Sequence, residues 1–308
     1  MRVLVTGAAG YVGGHVVARL SAEGHEVTAL VRSASGSPSG AGRASAWLTA
    51  RARLLLRDLS EAIDPAALEG HDACVHLAVL WPETGAHPEL GDVSACVRLF
   101  DALGRAGVGH VLYASSAAVH RPFAGRMTEA DRIVTADAYG AAKASNEHFL
   151  HASASEHGFR ASVVRPGPCV GLPADPHAGP RTPRAISDIV EALREARTVR
   201  VVRGEGRQLT ACTELAEVIA RSLVDRSAPS PLLSVSRAMT TWAEVATRVA
   251  ARLGREGLVE IAPREAPDAP TFDTTALERW LGRPLDASAA LEAHLDAISA
   301  LRDRDGPA

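Results

Sequence analysis

The sequence has no apolar run approaching the ~18 residues of a membrane span, which argues against a bilayer protein. Its first residues already read as a strand and a glycine turn, not as the charged and apolar blocks of a secretory leader. Cysteine is scarce. Cys74, Cys96, Cys169 and Cys212 lie far apart and form no CxxC, so reduced thiols in a cytoplasmic protein are expected, not disulfides. The twelve histidines include no HExxH, and His148 and His151 share a helix face without a third ligand, so no metal site is expected. Positive charge is not in excess. A formal net charge of −3 leaves no footprint for nucleic acid and no polybasic patch for a membrane surface. Aromatic residues make up only 4% of the chain, so each one near a site is informative.

What is present is an alternation. Short apolar runs at 3–6, 26–31, 53–56, 74–78, 110–114 and 162–165 are separated by helical stretches at 12–23, 93–105 and 138–156. Continuous apolar runs alternating with helices predict a parallel sheet covered on both faces, an α/β fold of the doubly wound Rossmann type. Gly24 is placed to end the first helix. Residues 33–45 are rich in Ser, Gly and Ala and read as a loop. Residues 166–183 are crowded with Pro and Gly, a composition suited to a substrate-facing segment. Helices are expected at 213–224, 242–253 and 277–281, the last two in a small helical lobe. The 308 residues thus divide into a dinucleotide-binding part, 1–165 with about 209–235, and a substrate lobe, 166–208 with 236–308.

The first turn carries the chemistry. Gly7, Gly10 and Gly13 form G-x-x-G-x-x-G between strand and helix. Gly7 permits the tight turn, Gly10 lets the backbone approach a pyrophosphate, and Gly13 lets the helix pack on the strand. The anion then meets free amides at the positive end of the helix, so Ala9, Tyr11 and Val12 are cofactor-binding candidates with the glycines. An acid at the end of the second strand would bond the ribose 2′-hydroxyl of NAD. Here Arg32 stands there instead, and a guanidinium matches a 2′-phosphate, so NADP is favoured with NAD possible.

Tyr139 and Lys143 are spaced i, i+4 in a helical run, so phenol and ammonium share one face. A nearby ammonium is expected to lower the phenol's pKa and fit Tyr139 to exchange a proton with an alcohol or alkoxide. Ser115 and Ser116 follow the fifth strand, where a hydroxyl can donate to a developing oxyanion.

Together these motifs resemble the extended branch of the short-chain dehydrogenase/reductase superfamily, the epimerase/dehydratase family. Arg57-Asp58-Leu59 resembles the family's Gly-Asp-Leu, which implies that Asp58 contacts the adenine, with Leu59 beside it. His76-Leu77-Ala78 resembles its His-Leu-Ala, placing Leu77 and Ala78 beside the cofactor, and Arg165-Pro166 through Gly171 resembles the segment after its sixth strand. The resemblance gives Ser116 the substrate-bonding hydroxyl, gives Lys143 a bond to the nicotinamide ribose, and implies a homodimer paired through the 93–105 and 138–156 helices. It also shows departures. Ala117 and Ala118 stand where dehydratases carry Asp-Glu, His120 replaces a frequent Tyr, and Gly167-Pro168-Cys169 lacks the Asn that often holds a sugar diphosphate. Trp81 and Phe123 are candidates to line the cleft, and Arg121, Arg181 and Arg184 to face an anionic group.

Three functions compete: a ketoreductase or alcohol dehydrogenase, a sugar epimerase that recycles a tightly held cofactor, and a non-catalytic nicotinamide-binding sensor. The first two share a small-molecule substrate, sugar-like or a ketone or alcohol. The third is disfavoured because Tyr139 and Lys143 are both present.

Overall fold

The computed structural model describes residues 1–32, 45–80, 88–178, 181–265 and 269–300. The expected 33–45 loop falls almost wholly outside these residues, as does Trp81.

Seven parallel strands form the central sheet. They are β1 (Arg2–Thr6), β2 (Glu26–Val31), β3 (Arg53–Leu56), β4 (Ala73–His76), β5 (His110–Ala114), β6 (Arg160–Pro166) and β7 (Leu232–Ser234). Their spatial order is β7-β6-β5-β4-β1-β2-β3. The order reverses between β1 and β4, so a crevice opens at their carboxyl ends, where open α/β sheets bind ligands.

Both faces are covered because side chains alternate along each strand. Val3 and Val5 of β1 face one core with Val16, Val17 and Leu20 of α1 (Tyr11–Ala22). Leu4 faces the other, with Leu99, Phe100 and Leu103 of a second large helix (Pro88–Arg105). Between them in sequence lies the short α2 (Ala46–Thr49), so the Pro88–Arg105 helix is α3. Next comes α4 (Ala138–His157), capped by Asp137, whose carboxylate accepts from Gly140 N at 2.7 Å, and ended by Gly158 at φ 78°.

The fourth strand stops at His76, two residues short of expectation. The Leu77 and Ala78 amides turn instead to the Thr6 hydroxyl, each at 3.2 Å, and run beneath the glycine turn. The expected helices are present as α6 (Cys212–Val224), α7 (Trp242–Leu253) and α8 (Thr275–Leu281). Two more, α5 (Arg184–Arg194) and α9 (Ser288–Ala300), join α7 in a separate core around Ile186, Leu193, Val249 and Leu295. The lobe is not purely helical: Val199–Val202 pairs with Val259–Ala262, and Gly206–Arg207 with Thr240–Thr241. Among the described residues no helix is long and apolar enough to cross a membrane.

Candidate active site

The glycine turn is built for close approach. Gly7 adopts φ +67°, and a Cβ there would sit 2.7 Å from Ala78 N. A Cβ on Gly13 would lie 2.0 Å from Gly7 O, and one on Gly10 2.9 Å from the same oxygen. Gly10 caps α1 without a side-chain bond and no acid lies in the first turn, so neither a capping side chain nor a first-turn carboxylate offsets the positive helix end. This cradle fits a pyrophosphate. Tyr11 ties it to the distal loop, its hydroxyl donating to Gly171 O at 2.5 Å, while half-buried Ala9 and Val12 pack on the β1 core. Asp58, half-buried past β3, accepts from Ser60 N at 2.8 Å, with Leu59 buried beside it. Arg32 is exposed just beyond β2, and Pro166 closes β6 opposite Ser234.

The carboxyl ends of β5 and the start of α4 bring Ser116, Tyr139 and Lys143 together. Ser116 caps a single 3-10 turn, its Oγ accepting from Ala118 N at 3.1 Å, and its side chain also hydrogen-bonds the Tyr139 phenol. Lys143 Nζ stands 6.0 Å from the Tyr139 ring centroid, as i, i+4 spacing requires. Glycine follows Tyr139 for a packing reason: a Cβ on Gly140 would sit 2.8 Å from Ala118 O. One expectation is reversed. Burial raises the Tyr139 phenol above its ordinary value, and the Ser116 hydrogen bond only partly offsets this. The ammonium is set back from the ring and donates to Ala114 O at 3.2 Å, so desolvation wins.

Ser115 points the other way. It donates to Glu147, which also grips Arg165 through Nε at 3.0 Å and Nη2 at 2.6 Å. This buried pair ties α4 to β6 and fixes the turn that carries Ser116. His120 joins it at 3.0 Å from Arg165 Nη1 and packs on Phe272, so His120 is a packing residue. Glu147→Leu is expected to lower unfolding free energy by about 3–5 kcal/mol, because Arg165 is left as an uncompensated buried charge. Urea denaturation checks this, and a loss below ~1 kcal/mol would contradict it.

A cleft of about 460 Å³ opens beside Asp137, lined by Arg121, Phe123, Arg207, Trp242 and Arg264, with Glu205 as its acid. Arg121 pairs with Asp137 at 2.7 Å, and the Arg121 and Arg207 guanidiniums lie 5.7 and 5.2 Å from the Phe123 ring centroid. Burial, and then repulsion from Arg121, hold the Arg207 guanidinium below its ordinary value, with Glu205 opposing them. The sequence singled out Arg121 and Phe123. Arg207 and Arg264 were missed, and Arg181 and Arg184 do not line this cleft. Arg184 instead pairs along its own helix with Asp188 at 3.7 Å.

The family model of the NAD dependent epimerase/dehydratase family matches residues 3–230. The chain belongs to that family. Its curated relatives are enzymes. A UDP-glucose 4-epimerase of Corynebacterium glutamicum is 30% identical over 172 residues, 54% of this chain and 50% of the relative. UDP-glucose 4-epimerase 3 of Oryza sativa subsp. japonica is 30% identical over 177 residues, 53% of this chain and 48% of the relative. The match thus spans about half the length of these relatives. Among solved structures, a UDP-glucuronic acid 4-epimerase from Bacillus cereus in complex with NAD superposes with a TM-score of 0.79 at 18% identity, covering 100% of this chain and 99% of that one. A UDP-galactose 4-epimerase does so with 0.75 at 24%, covering 97% and 99%. At these identities the structures share the fold of this family member.

Proposed function

We propose that this member of the family is a nicotinamide-dependent epimerase acting on a sugar nucleotide. The observation that supports the reading is an arginine-lined cleft joined to the start of α4 by the Arg121–Asp137 pair at 2.7 Å, two residues before Tyr139, because its cationic side chains suit an anionic diphosphate. The relatives named above are 4-epimerases of UDP-sugars, which agrees with it.

A dinucleotide held with its pyrophosphate on the glycine cradle would supply the acceptor and donor of a hydride. The chain's own groups do the rest. Tyr139 exchanges a proton with the substrate oxygen, and Ser116 hydrogen-bonds the same oxygen as it passes between alcohol and ketone. Lys143 binds the ribose. Residues 1–165 with 209–235 hold the dinucleotide, and 166–208 with 236–308 hold the sugar nucleotide. Arg32 favours a 2′-phosphate, so NADP is the preferred cofactor of this reading; titration with both dinucleotides decides between them.

Incubation with UDP-glucose and UDP-galactose, followed by proton NMR, tests the function. Interconversion without net change in absorbance at ~340 nm is expected, since the hydride returns to the substrate. Stoichiometric oxidation of added NADPH with a ketone substrate would favour the reductase reading, which the missing Asn at Gly167-Pro168-Cys169 supports. Arg207→Gln is expected to raise KM by about 10- to 100-fold with kcat little changed, the loss of one charged hydrogen bond made equally in ground and transition states.

We also infer a homodimer through α3 and α4, where a cleft of about 340 Å³ is lined by Leu90, Val93, Ala138 and Ala141, and where Leu90 and Phe149 are exposed. The free state of all four thiols suits the cytoplasm.

A further inference from the structure

Beneath the candidate site lies a charge balance that the reaction scheme leaves unused. Among the described residues only four Asp, Glu, Lys or Arg side chains are buried: Asp92, Lys143, Glu147 and Arg165. Glu147 and Arg165 satisfy each other through two short contacts, 2.6 and 3.0 Å. Lys143 and Asp92 remain. A buried ammonium without a counter-charge is strongly disfavoured, and Lys143 has only the Ala114 carbonyl as a hydrogen-bond acceptor among the described residues.

Asp92 is arranged as an acceptor on both oxygens, the state of an ionised carboxylate. Leu80 N donates to Oδ1 at 2.7 Å and Asn146 Nδ2 to Oδ2 at 3.1 Å. The same Asn146 nitrogen lies 3.0 Å from the Tyr113 hydroxyl, and Lys143 Nζ stands over the Tyr113 ring, 4.7 Å from its centroid. No arginine or histidine lies in ion-pair contact with Asp92 among the described residues.

We propose that Asp92, gripped by Leu80 and Asn146, supplies the negative charge that holds the Lys143 ammonium in the buried site, and is thus a positioning residue for the cofactor and for Tyr139. Nothing in the sequence motifs marks it. The titratable and charged groups around the ammonium are Asp92 and Cys96 from α3, Tyr139 and Glu147 from α4, Tyr113 from β5, His76 from β4, and Arg165 behind Glu147. Burial pulls the Lys143 ammonium below its ordinary value, and Asp92 leads the groups that pull it back up, ahead of Cys96 and Glu147. His76, driven down to about 3 by burial and by Lys143, is neutral and adds no charge near neutrality. The inference rests on the proposed function only for the consequence in dinucleotide affinity; the coupling of Asp92 to Lys143 stands without it.

Lys143 is the single lysine of the 308-residue chain, so it can be observed directly. In full-length protein grown with 13C-lysine, one Cε signal reports its titration. Asp92→Asn keeps the shape and removes the charge, and the otherwise unpartnered Asn146 Oδ1 can accept from the new amide once Asn146 turns over. The lysine midpoint is expected to fall by more than about one pH unit in D92N, as for loss of an opposite charge acting across a buried site, and to return toward the wild-type value in Asp92→Glu. Asp92→Ser removes the same charge with less bulk and replaces D92N should that variant not fold. Dinucleotide affinity of D92N, read by tryptophan quenching, is expected to match wild type below the new midpoint and to weaken above it. An unmoved midpoint in the neutral variants overturns the proposal. Failure of wild-type protein to bind either dinucleotide overturns the functional reading alone, since the titration needs no cofactor.

Discussion

Tyr139→Phe is expected to lower kcat by about 10²- to 10⁴-fold while leaving the fold and dinucleotide affinity nearly intact. Only the hydroxyl is removed. The ring keeps its place at the start of α4, Lys143 still donates to Ala114 O, and Ser116 still accepts from Ala118 N. No other phenol replaces it. Tyr113 is fully buried beneath Lys143, and Tyr11 is committed to the Gly171 carbonyl. Steady-state turnover with a UDP-sugar, beside a thermal melt and a binding titration, separates this from a folding defect. Unchanged turnover would remove Tyr139 from the chemistry. The same residue sets a pH expectation. Burial raises the phenol, so the protonated form persists through neutrality and beyond, and turnover in the direction that needs the deprotonated form is expected to climb as pH rises toward the phenol's midpoint. An alkaline limb that survives in Tyr139→Phe would assign it to another group.

Gly13→Ala carries the second large effect. The added methyl would stand 2.0 Å from Gly7 O and 2.7 Å from Gly7 C, both backbone atoms, so no rotamer change relieves it. The turn must move, at about 1–3 kcal/mol or more of stability. Its amides then leave the positions that face the pyrophosphate. Dinucleotide affinity is expected to drop more than about tenfold, or ~1.4 kcal/mol. Gly24→Ala is the comparison. It imposes a left-handed backbone at φ +79° with open space around the new atom, so it strains the chain without touching the cradle. Equal affinity losses in both variants would show that the effect is general destabilisation.

The contrast between what could and could not be read in advance follows the range of the forces. β2 and β5 have the expected bounds because each is a short apolar run buried on both faces, and β3, a half-exposed edge strand, because its leucine run is short and apolar. Likewise α7 has a local start and stop, the Thr241–Glu244 capping box and Gly254 at φ 63°. The β4 end misled because Leu77 and Ala78 are apolar, yet their amides bond Thr6 far away in sequence. α5 is legible in principle from Ile186, Ile189, Val190 and Leu193 at helical spacing, but the Pro- and Gly-rich run before it reads as loop. α9 carries the same signal in Leu291, Leu295 and Ile298. In the candidate site, the glycine turn and the Tyr139–Lys143 spacing are local and stood out. Arg207 and Arg264 reach the cleft only through the pairing of Gly206–Arg207 with Thr240–Thr241 and the fold of the lobe. The Asp92–Asn146 contact joins two helices and has no local signature at all.

The most direct check is a crystal structure of the protein soaked with NADP or NAD and a UDP-sugar. The account predicts pyrophosphate density on the amides after Gly10, the nicotinamide ring between Lys143 and Tyr139, and the sugar oxygen within hydrogen-bond reach of both Ser116 and Tyr139. A dinucleotide seated elsewhere, or a sugar ring out of reach of the Tyr139 hydroxyl, would contradict it.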